Sequence, residues 1–329
     1  MNSVRWAIGV DLGGTKVEVA AVDSWGNILR RVRRPTEVQG GPAAVKQEII
    51  DMVREVGKDS PAPAGVGVGV AGQVGADTGM VHFAPNLDWH EVPLQDDLGQ
   101  ALGLPVEVIN DVRAAAWGEW LHGAGKGSAD LICLFIGTGI GGGVVSGGRM
   151  LSGCSNSAGE LGHMTIDLHG PSCNCGHRGC LEALAGGWAI ARRAREAITA
   201  DPAAGEKMLA AAGIKDTTST EAVTAAAVTL AARAGDRLAQ ALVDEVAQAL
   251  IAGAVSLANA FNPCRLILGG GVMAGLPELI PRIDQGVRRY ALQAATSRLE
   301  VLPAKLGNEA GVVGAASLVI KNFSTKEST

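Results

Sequence analysis

Four side chains with the chemistry of metal ligands fall within eighteen residues, His163, Cys173, Cys175 and Cys180, in the order His-x9-Cys-x-Cys-x4-Cys. Three thiolates and one imidazole fill a tetrahedral zinc shell and leave no position for water, so the ion expected here is structural rather than catalytic. His169 and His177 compete in sequence for the fourth place. The alternative use of His163, a helical Glu160-x-x-His163 metal pair, is disfavoured by the flanking Gly159 and Gly162 and by the lack of a second copy. Glu160 and Glu182 bracket the set without being needed by the metal. A metal-braced loop edged with spare carboxylates reads as a wall for binding a substrate.

Three glycine turns supply a second kind of chemistry. Asp11-Leu12-Gly13-Gly14-Thr15-Lys16 lacks the spacing of a P-loop and leads into a strand rather than a helix. It still offers unhindered backbone N–H groups, the Thr15 hydroxyl, the Lys16 cation and the Asp11 carboxylate. Such a nest binds phosphate oxygens, and the carboxylate suits hydrated Mg²⁺. The other reading is a plain tight hairpin. Gly137-Thr138-Gly139 repeats the pattern, and two such turns can grip a polyphosphate. Gly269-Gly270-Gly271 follows a third strand and suits either the close approach of a flat ring or simple entry into a helix. Asn110-Asp111, at a strand-to-helix junction, reads as an N-cap or as a general base with a hydrogen-bonding neighbour.

The elements that must hold these residues follow from the hydrophobic pattern. Strands are expected over Trp6 to Val10, Val17 to Val22 and Ile28 to Arg33, then a helix over Ala43 to Val56 and strands at Gly65 to Gly72 and Pro105 to Ile109. After a helix over 112–123 the pattern restarts. A strand at Leu131 to Ile136, a turn over Gly137 to Gly143 and a strand from Val144 repeat the opening layout, which points to a structural duplication. An Ala-rich helical stretch runs from Ala183 to Asn262. A strand at Arg265 to Leu268, a helix, a short strand at Leu299 to Leu302 and a final helix over Asn308 to Ile320 follow, with Lys321 to Thr329 frayed.

The chain of 329 residues has 47% hydrophobic and 19% charged residues and a net charge of −5, which gives no electrostatic footprint for nucleic acid. The 46 glycines concentrate in particular loops rather than in low-complexity sequence. Of the six cysteines, Cys133 lies in an apolar run and reads as a buried small hydrophobe, and Cys154 as a plain thiol. The opening residues run straight into a strand, with no export segment, and no run of eighteen apolar residues occurs, so a cytoplasmic protein that avoids membranes is expected.

Taken together, these motifs resemble the ROK family (repressor, open reading frame, kinase) of bacterial sugar kinases and sugar-responsive repressors, and within it the glucokinases. The residues that carry the resemblance are Asp11 to Lys16, Ala84-Pro85-Asn86-Leu87 with Trp89, Asn110-Asp111, Gly137 to Gly141, Glu160-Leu161-Gly162-His163, Cys173 to Glu182, Gly269 to Gly271, and Ala310-Gly311 with Gly314 to Ala316. The resemblance implies a duplicated α/β fold of the actin-like, hexokinase-type (ribonuclease H-like) class, with two domains around a cleft. Residues 1–112 plus 307–329 would form the small domain, and 113–306 the large domain with the zinc loop at 163–180.

It further implies ATP-dependent phosphorylation of the 6-hydroxyl of a hexose, glucose first, with Asp111 as base and Mg²⁺ as catalytic cation. Gly72, Asn86, Asn110, Asp111, Glu160, His163 and Glu182 would meet the sugar, and His163 would also ligate zinc through its other ring nitrogen. Asp11, Gly13, Gly14, Thr15, Lys16, Gly137, Thr138, Gly139, Gly269, Gly270 and Gly271 would meet ATP. A homodimer or homotetramer is implied. An N-acetylglucosamine or N-acetylmannosamine kinase shares every motif, and fructokinase or allokinase activity fits too. The repressor reading is remote, because only ten residues precede Asp11. Two departures stand out: Ala71-Gly72-Gln73 where many relatives have Pro-Gly-Pro, and Asn308-Glu309-Ala310 near the adenosine end.

Overall fold

The computed structural model describes residues 5–214 and 222–326, with the side chains of 321–326 left aside. It divides into two compact units. Unit 1 comprises Met1–Ser128, Gly143–Gly159 and Ala304–Thr329; unit 2 comprises Ala129–Gly142 and Glu160–Pro303. This division differs from the expected boundary at 112/113, which would cut through the helix Asp111–Leu121.

Unit 1 is built on a five-stranded sheet of order β3-β2-β1-β4-β8, from β1 (Trp6–Leu12), β2 (Lys16–Asp23), β3 (Ile28–Pro35), β4 (Val66–Val70) and β8 (Val106–Asn110). The first three strands form an antiparallel meander, while β1, β4 and β8 run parallel. Both faces of the central strands are buried, so alternation sorts residues by size rather than by polarity. Ile8, Val10, Val66 and Val68 point into a core shared with helix α1 (Gly41–Gly57). Ala7, Ala20 and Val22 meet Val312 and Ala316 of helix α12 (Ala310–Lys326) on the other face.

That second face is made of small residues because α12 lies directly against the strand backbones. A Cβ on Gly67 would stand 1.8 Å from the Ala315 carbonyl oxygen. The same helix is pressed against α3 (Asp111–Leu121), where a Cβ on Gly314 would fall 1.7 Å from the Ala114 oxygen. Glycine therefore sets the depth of both helices on the sheet, and with it the placement of Asp111.

A second five-stranded sheet has the order β11-β10-β9-β12-β13, from β9 (Leu131–Ile136), β10 (Ile140–Ser146), β11 (Arg149–Met150), β12 (Arg265–Gly269) and β13 (Glu300–Pro303). It matches the first sheet strand for strand, with β9, β12 and β13 parallel, and so carries the expected duplication. The turn after β9 is shorter than expected. β10 begins at Ile140, leaving Gly141 to Gly143 within the strand. Gly142 must be small there, since a Cβ would meet the Cys133 oxygen at 2.6 Å.

Three features were not anticipated. A small sheet, β5-β6-β7 (Gln73–Val74, Val81–Ala84, Trp89–Val92), and helix α2 (Leu94–Leu102) lie in unit 1. The helical stretch of unit 2 is divided into α4 (Leu181–Ala185), α5 (Gly187–Ala200), α6 (Pro202–Ala211), α7 (Ala225–Arg233) and α8 (Arg237–Phe261). Finally, α12 continues past Ile320 to Lys326, where a frayed tail was expected; residues 327–329 lie outside the described ones. Helix α8 has the length and apolar composition of a membrane span, but half of that window is buried inside the protein, as in a core helix.

Candidate functional site

In unit 1 the sheet gathers most of the expected residues at the carboxyl ends of β1, β4 and β8. Asn110 is the N-cap of α3: its Oδ1 accepts from the Val112 and Arg113 N–H groups at 3.1 Å each, and its Nδ2 donates to the Gly72 carbonyl at 3.2 Å. Asp111 starts the helix, and its Cα would be 3.3 Å from a Cβ on Gly69. The capping reading of Asn110 is thus met, and it leaves Asp111 in the first turn, where a carboxylate is favoured by the helix dipole.

The first glycine turn joins β1 to β2, with the Gly13 N–H donating to the Lys16 carbonyl at 3.0 Å. Gly14 sits so close to Asn86 that a Cβ would meet its carbonyl oxygen at 2.4 Å, so Asn86 and the turn are brought together. Thr15 and Lys16 are exposed. Asp11 lies on the small-residue face of β1, against Gly311 in the first turn of α12. Burial, then the charge of Asp111, pushes its carboxyl up from 3.8 to about 6, with Lys16 pulling the other way. Two carboxylates that repel in a partly desolvated place are a natural seat for a cation.

In unit 2 the four donor atoms of His163, Cys173, Cys175 and Cys180 lie within 4.8 Å of one another. Cys173 Sγ is 3.8 Å from His163 Nδ1, and Cys175 Sγ is 3.7 Å from Cys180 Sγ. A tetrahedron with metal–sulfur bonds of about 2.3 Å has edges of roughly 3.8 Å, so the set fits a zinc-sized ion. The chemistry agrees, since burial pushes the Cys180 thiol up to about 12 and a coordinating cation is what holds such a sulfur as thiolate. His169 and His177 are not in the set. With Nδ1 turned to sulfur, the other ring nitrogen, Nε2, faces Glu160 Oε2 at 3.9 Å, and both side chains are open, 35% and 61% exposed.

Glu182, in the first turn of α4, ties the metal loop to the second glycine turn. Its Oε2 accepts the Ile140 N–H at 2.8 Å, and a Cβ on Gly139 would strike that oxygen. The carbonyls of Gly137 and Thr138 accept the Gly187 and Trp188 N–H groups at 2.9 Å, so the turn caps the start of α5. Beside it lies a cavity of about 780 Å³ lined by Gly137, Thr138, Trp188, Leu230, Val272 and Gly275 among others. Of the third glycine turn, Gly271 reaches this cavity. Gly269 ends β12, and Gly270 takes φ +90° where a Cβ would meet the Ile136 oxygen at 2.4 Å. The turn also enters the short helix α9 (Gly271–Gly275), which meets its helix-entry reading.

Sequence reasoning missed Trp188. Its backbone, indole N–H and ring each meet a different part of the site, and no motif singles it out.

The ROK family model matches residues 7–322. A glucokinase of Halalkalibacterium halodurans is 38% identical over 330 residues, covering 99% of this chain and 98% of the relative. One from Thermotoga maritima is 39% identical over 313 residues, covering 95% and 96%. Among solved structures, the ROK family glucokinase of Streptomyces griseus in complex with glucose and AMPPNP superposes with a TM-score of 0.81 at 36% identity, covering 96% of this chain and 99% of that one. With a family model matched over nearly the whole chain and relatives above 30% identity covered almost end to end, the chain belongs to the ROK family.

Proposed function

We propose that this protein is an ATP-dependent sugar kinase whose substrate is glucose, forming glucose 6-phosphate and ADP. The observation that carries the reading is the orientation of His163. One ring nitrogen, Nδ1, lies on the cysteine side, 3.8 Å from Cys173 Sγ, and the other is presented to solvent beside Glu160. Ionised carboxylates only accept hydrogen bonds, so Glu160 and Glu182 suit a ligand rich in hydroxyl donors. The glucose in the related Streptomyces griseus structure supports the choice of hexose.

Asp111 acts as the general base. It accepts the proton of the 6-hydroxyl as that oxygen bonds to the γ-phosphorus and the bond to the leaving ADP breaks. Asn110 keeps the first turn of α3 fixed and holds Gly72, while Asn86 braces the first glycine turn. That turn and Gly137-Thr138-Gly139 offer backbone N–H groups to the phosphates, and the apolar cavity beside Trp188 takes the adenosine. Asp11 is the seat for hydrated Mg²⁺, which when bound neutralises phosphate charge. His163, Cys173, Cys175 and Cys180 would hold zinc, whose contribution is to fix the loop.

A coupled assay over glucose, mannose, fructose, allose, N-acetylglucosamine and N-acetylmannosamine, each with ATP and with polyphosphate, tests the assignment. Glucose with ATP should give the highest kcat/KM. A higher value for either N-acetylhexosamine would replace the proposed substrate.

A further inference from the structure

Three parts of unit 2 converge on one side chain that the proposed reaction does not use. The Trp188 indole N–H donates to Glu182 Oε1 at 3.2 Å, while the backbone N–H of the same residue holds the Thr138 carbonyl at 2.9 Å. Its ring lines the 780 Å³ cavity next to Gly137 and Thr138. The ring also packs on the buried cluster of Cys173, Cys180 and Ala183 and carries the Arg192 guanidinium 5.0 Å from its centroid. Arg192 in turn donates to the carbonyl of Ser172, next to Cys173, at 3.3 Å. The indole is thereby clamped on its cysteine side and open on its cavity side.

We propose that Trp188 is a positioning residue that couples nucleotide binding to sugar binding through Glu182. The inference rests on the reading above, in which Glu182 meets the sugar and the cavity takes the nucleoside. Glu182 has two oxygens with separate jobs. Oε2 is fixed by the Ile140 N–H beside the phosphate turn, and Oε1 is aimed by the indole. A purine seated in the cavity packs on the open side of the ring and so reinforces the placement in which the indole N–H reaches Glu182. The indole N–H then holds Oε1 in the one orientation that accepts a sugar hydroxyl. Ordering done by the first ligand need not be repeated for the second, which is positive cooperativity without a change of fold. Linkage makes the effect reciprocal, so glucose tightens the nucleotide by the same factor.

The test is calorimetric titration of glucose, with and without saturating AMPPNP and Mg²⁺, on the wild type and on Trp188→Phe, which keeps an aromatic ring but has no donor. The wild type should bind glucose at least about fivefold more tightly with AMPPNP present, the low end of typical coupling. Trp188→Phe should bring that ratio to within about twofold of one when AMPPNP is supplied at a concentration that saturates the variant. A merely structural role would move melting temperature or metal content and leave the ratio alone. An unchanged ratio in a folded Trp188→Phe protein overturns the proposal. So does a wild type with no coupling, a result that needs no variant to fold. Glu182→Ala separates the two layers. If it leaves glucose affinity intact, the sugar assignment of Glu182 fails and the coupling goes with it; if it weakens glucose while Trp188→Phe keeps the ratio, the coupling alone fails.

Discussion

Asp11 sits where its charge is penalised, and the Asp11→Asn variant converts that penalty into a stability difference with a defined pH course. Its neighbours on the same face of the sheet are Glu18, opposite it on β2, and Arg33, paired in turn with Glu18 across to β3. Burial is the largest influence, Asp111 the next, and together they raise the carboxyl from 3.8 to about 6. A raised folded-state value means that the folded protein holds the proton more tightly than the unfolded chain does. The stability that this proton confers is fully present below pH 3.8 and is lost as pH rises through 6. Two units correspond to about 3 kcal/mol at neutral pH. The first turn of α12, against which Asp11 lies, favours the anion and gives back about 0.5–1 kcal/mol, leaving a penalty of about 2 kcal/mol.

Asparagine has the same shape and no charge. The variant should therefore be more stable than wild type by about 2 kcal/mol at pH 8, with a difference smaller by roughly 1 kcal/mol at pH 5. Urea unfolding in EDTA at pH 5, 6.5 and 8 measures this directly. The same variant should lose at least about a hundredfold in kcat, and Mg²⁺ with AMPPNP should stabilise it less than wild type, because the seat for the cation has gone. A stability difference that does not change with pH, or a variant less stable at pH 8, would refute the argument. Equal stabilisation of both proteins by Mg²⁺ and AMPPNP would remove Asp11 from cation binding.

Asp111→Asn should lower kcat by about 10²–10⁴-fold while glucose affinity stays within a few-fold, measured by single-turnover kinetics and calorimetry; near-normal kcat would remove Asp111 as base. One zinc per chain is expected by atomic emission, and Cys175→Ser should lose the metal and raise the glucose KM by about tenfold, since the other three donors cannot close the shell. An unchanged KM in metal-free protein would detach the loop from sugar binding. Gly314→Ala should destabilise unit 1 by about 3 kcal/mol in urea, because a Cβ 1.7 Å from the Ala114 oxygen forces two helices apart. A loss below about 1 kcal/mol would show that α12 and α3 can separate freely.

Much of the fold was legible because its strands are long, apolar and bounded by glycine. Trp6 to Val10 and Leu131 to Ile136 each announce a buried strand, the first of which runs on to Leu12, and the glycine turn after each exposes the duplication. The small sheet was not legible for the opposite reason. Its strands are two to four residues long and alternate too briefly to show a period, with Trp89 buried by neighbours that the sequence does not reveal. The helical stretch showed its type but not its joints, which fall at residues such as Gly186 and Asp201 that a helix can tolerate near its ends.

The site divides along a similar line. Residues whose chemistry is scarce, three clustered thiols or a carboxylate among glycines, stand out in a sequence because few other roles fit them. Trp188 does not, since an indole at the start of a helix is ordinary core material until its neighbours are known. What gives it meaning is that Glu182 lies six residues earlier, on the preceding helix, with its Oε1 at hydrogen-bond distance from the indole, while Thr138, fifty positions away, caps the same residue's backbone. A metal ligand set is written in one short segment because the loop must fold around the ion. A link between two binding places has to touch both, and so it is assembled from distant segments whose proximity only the tertiary structure supplies.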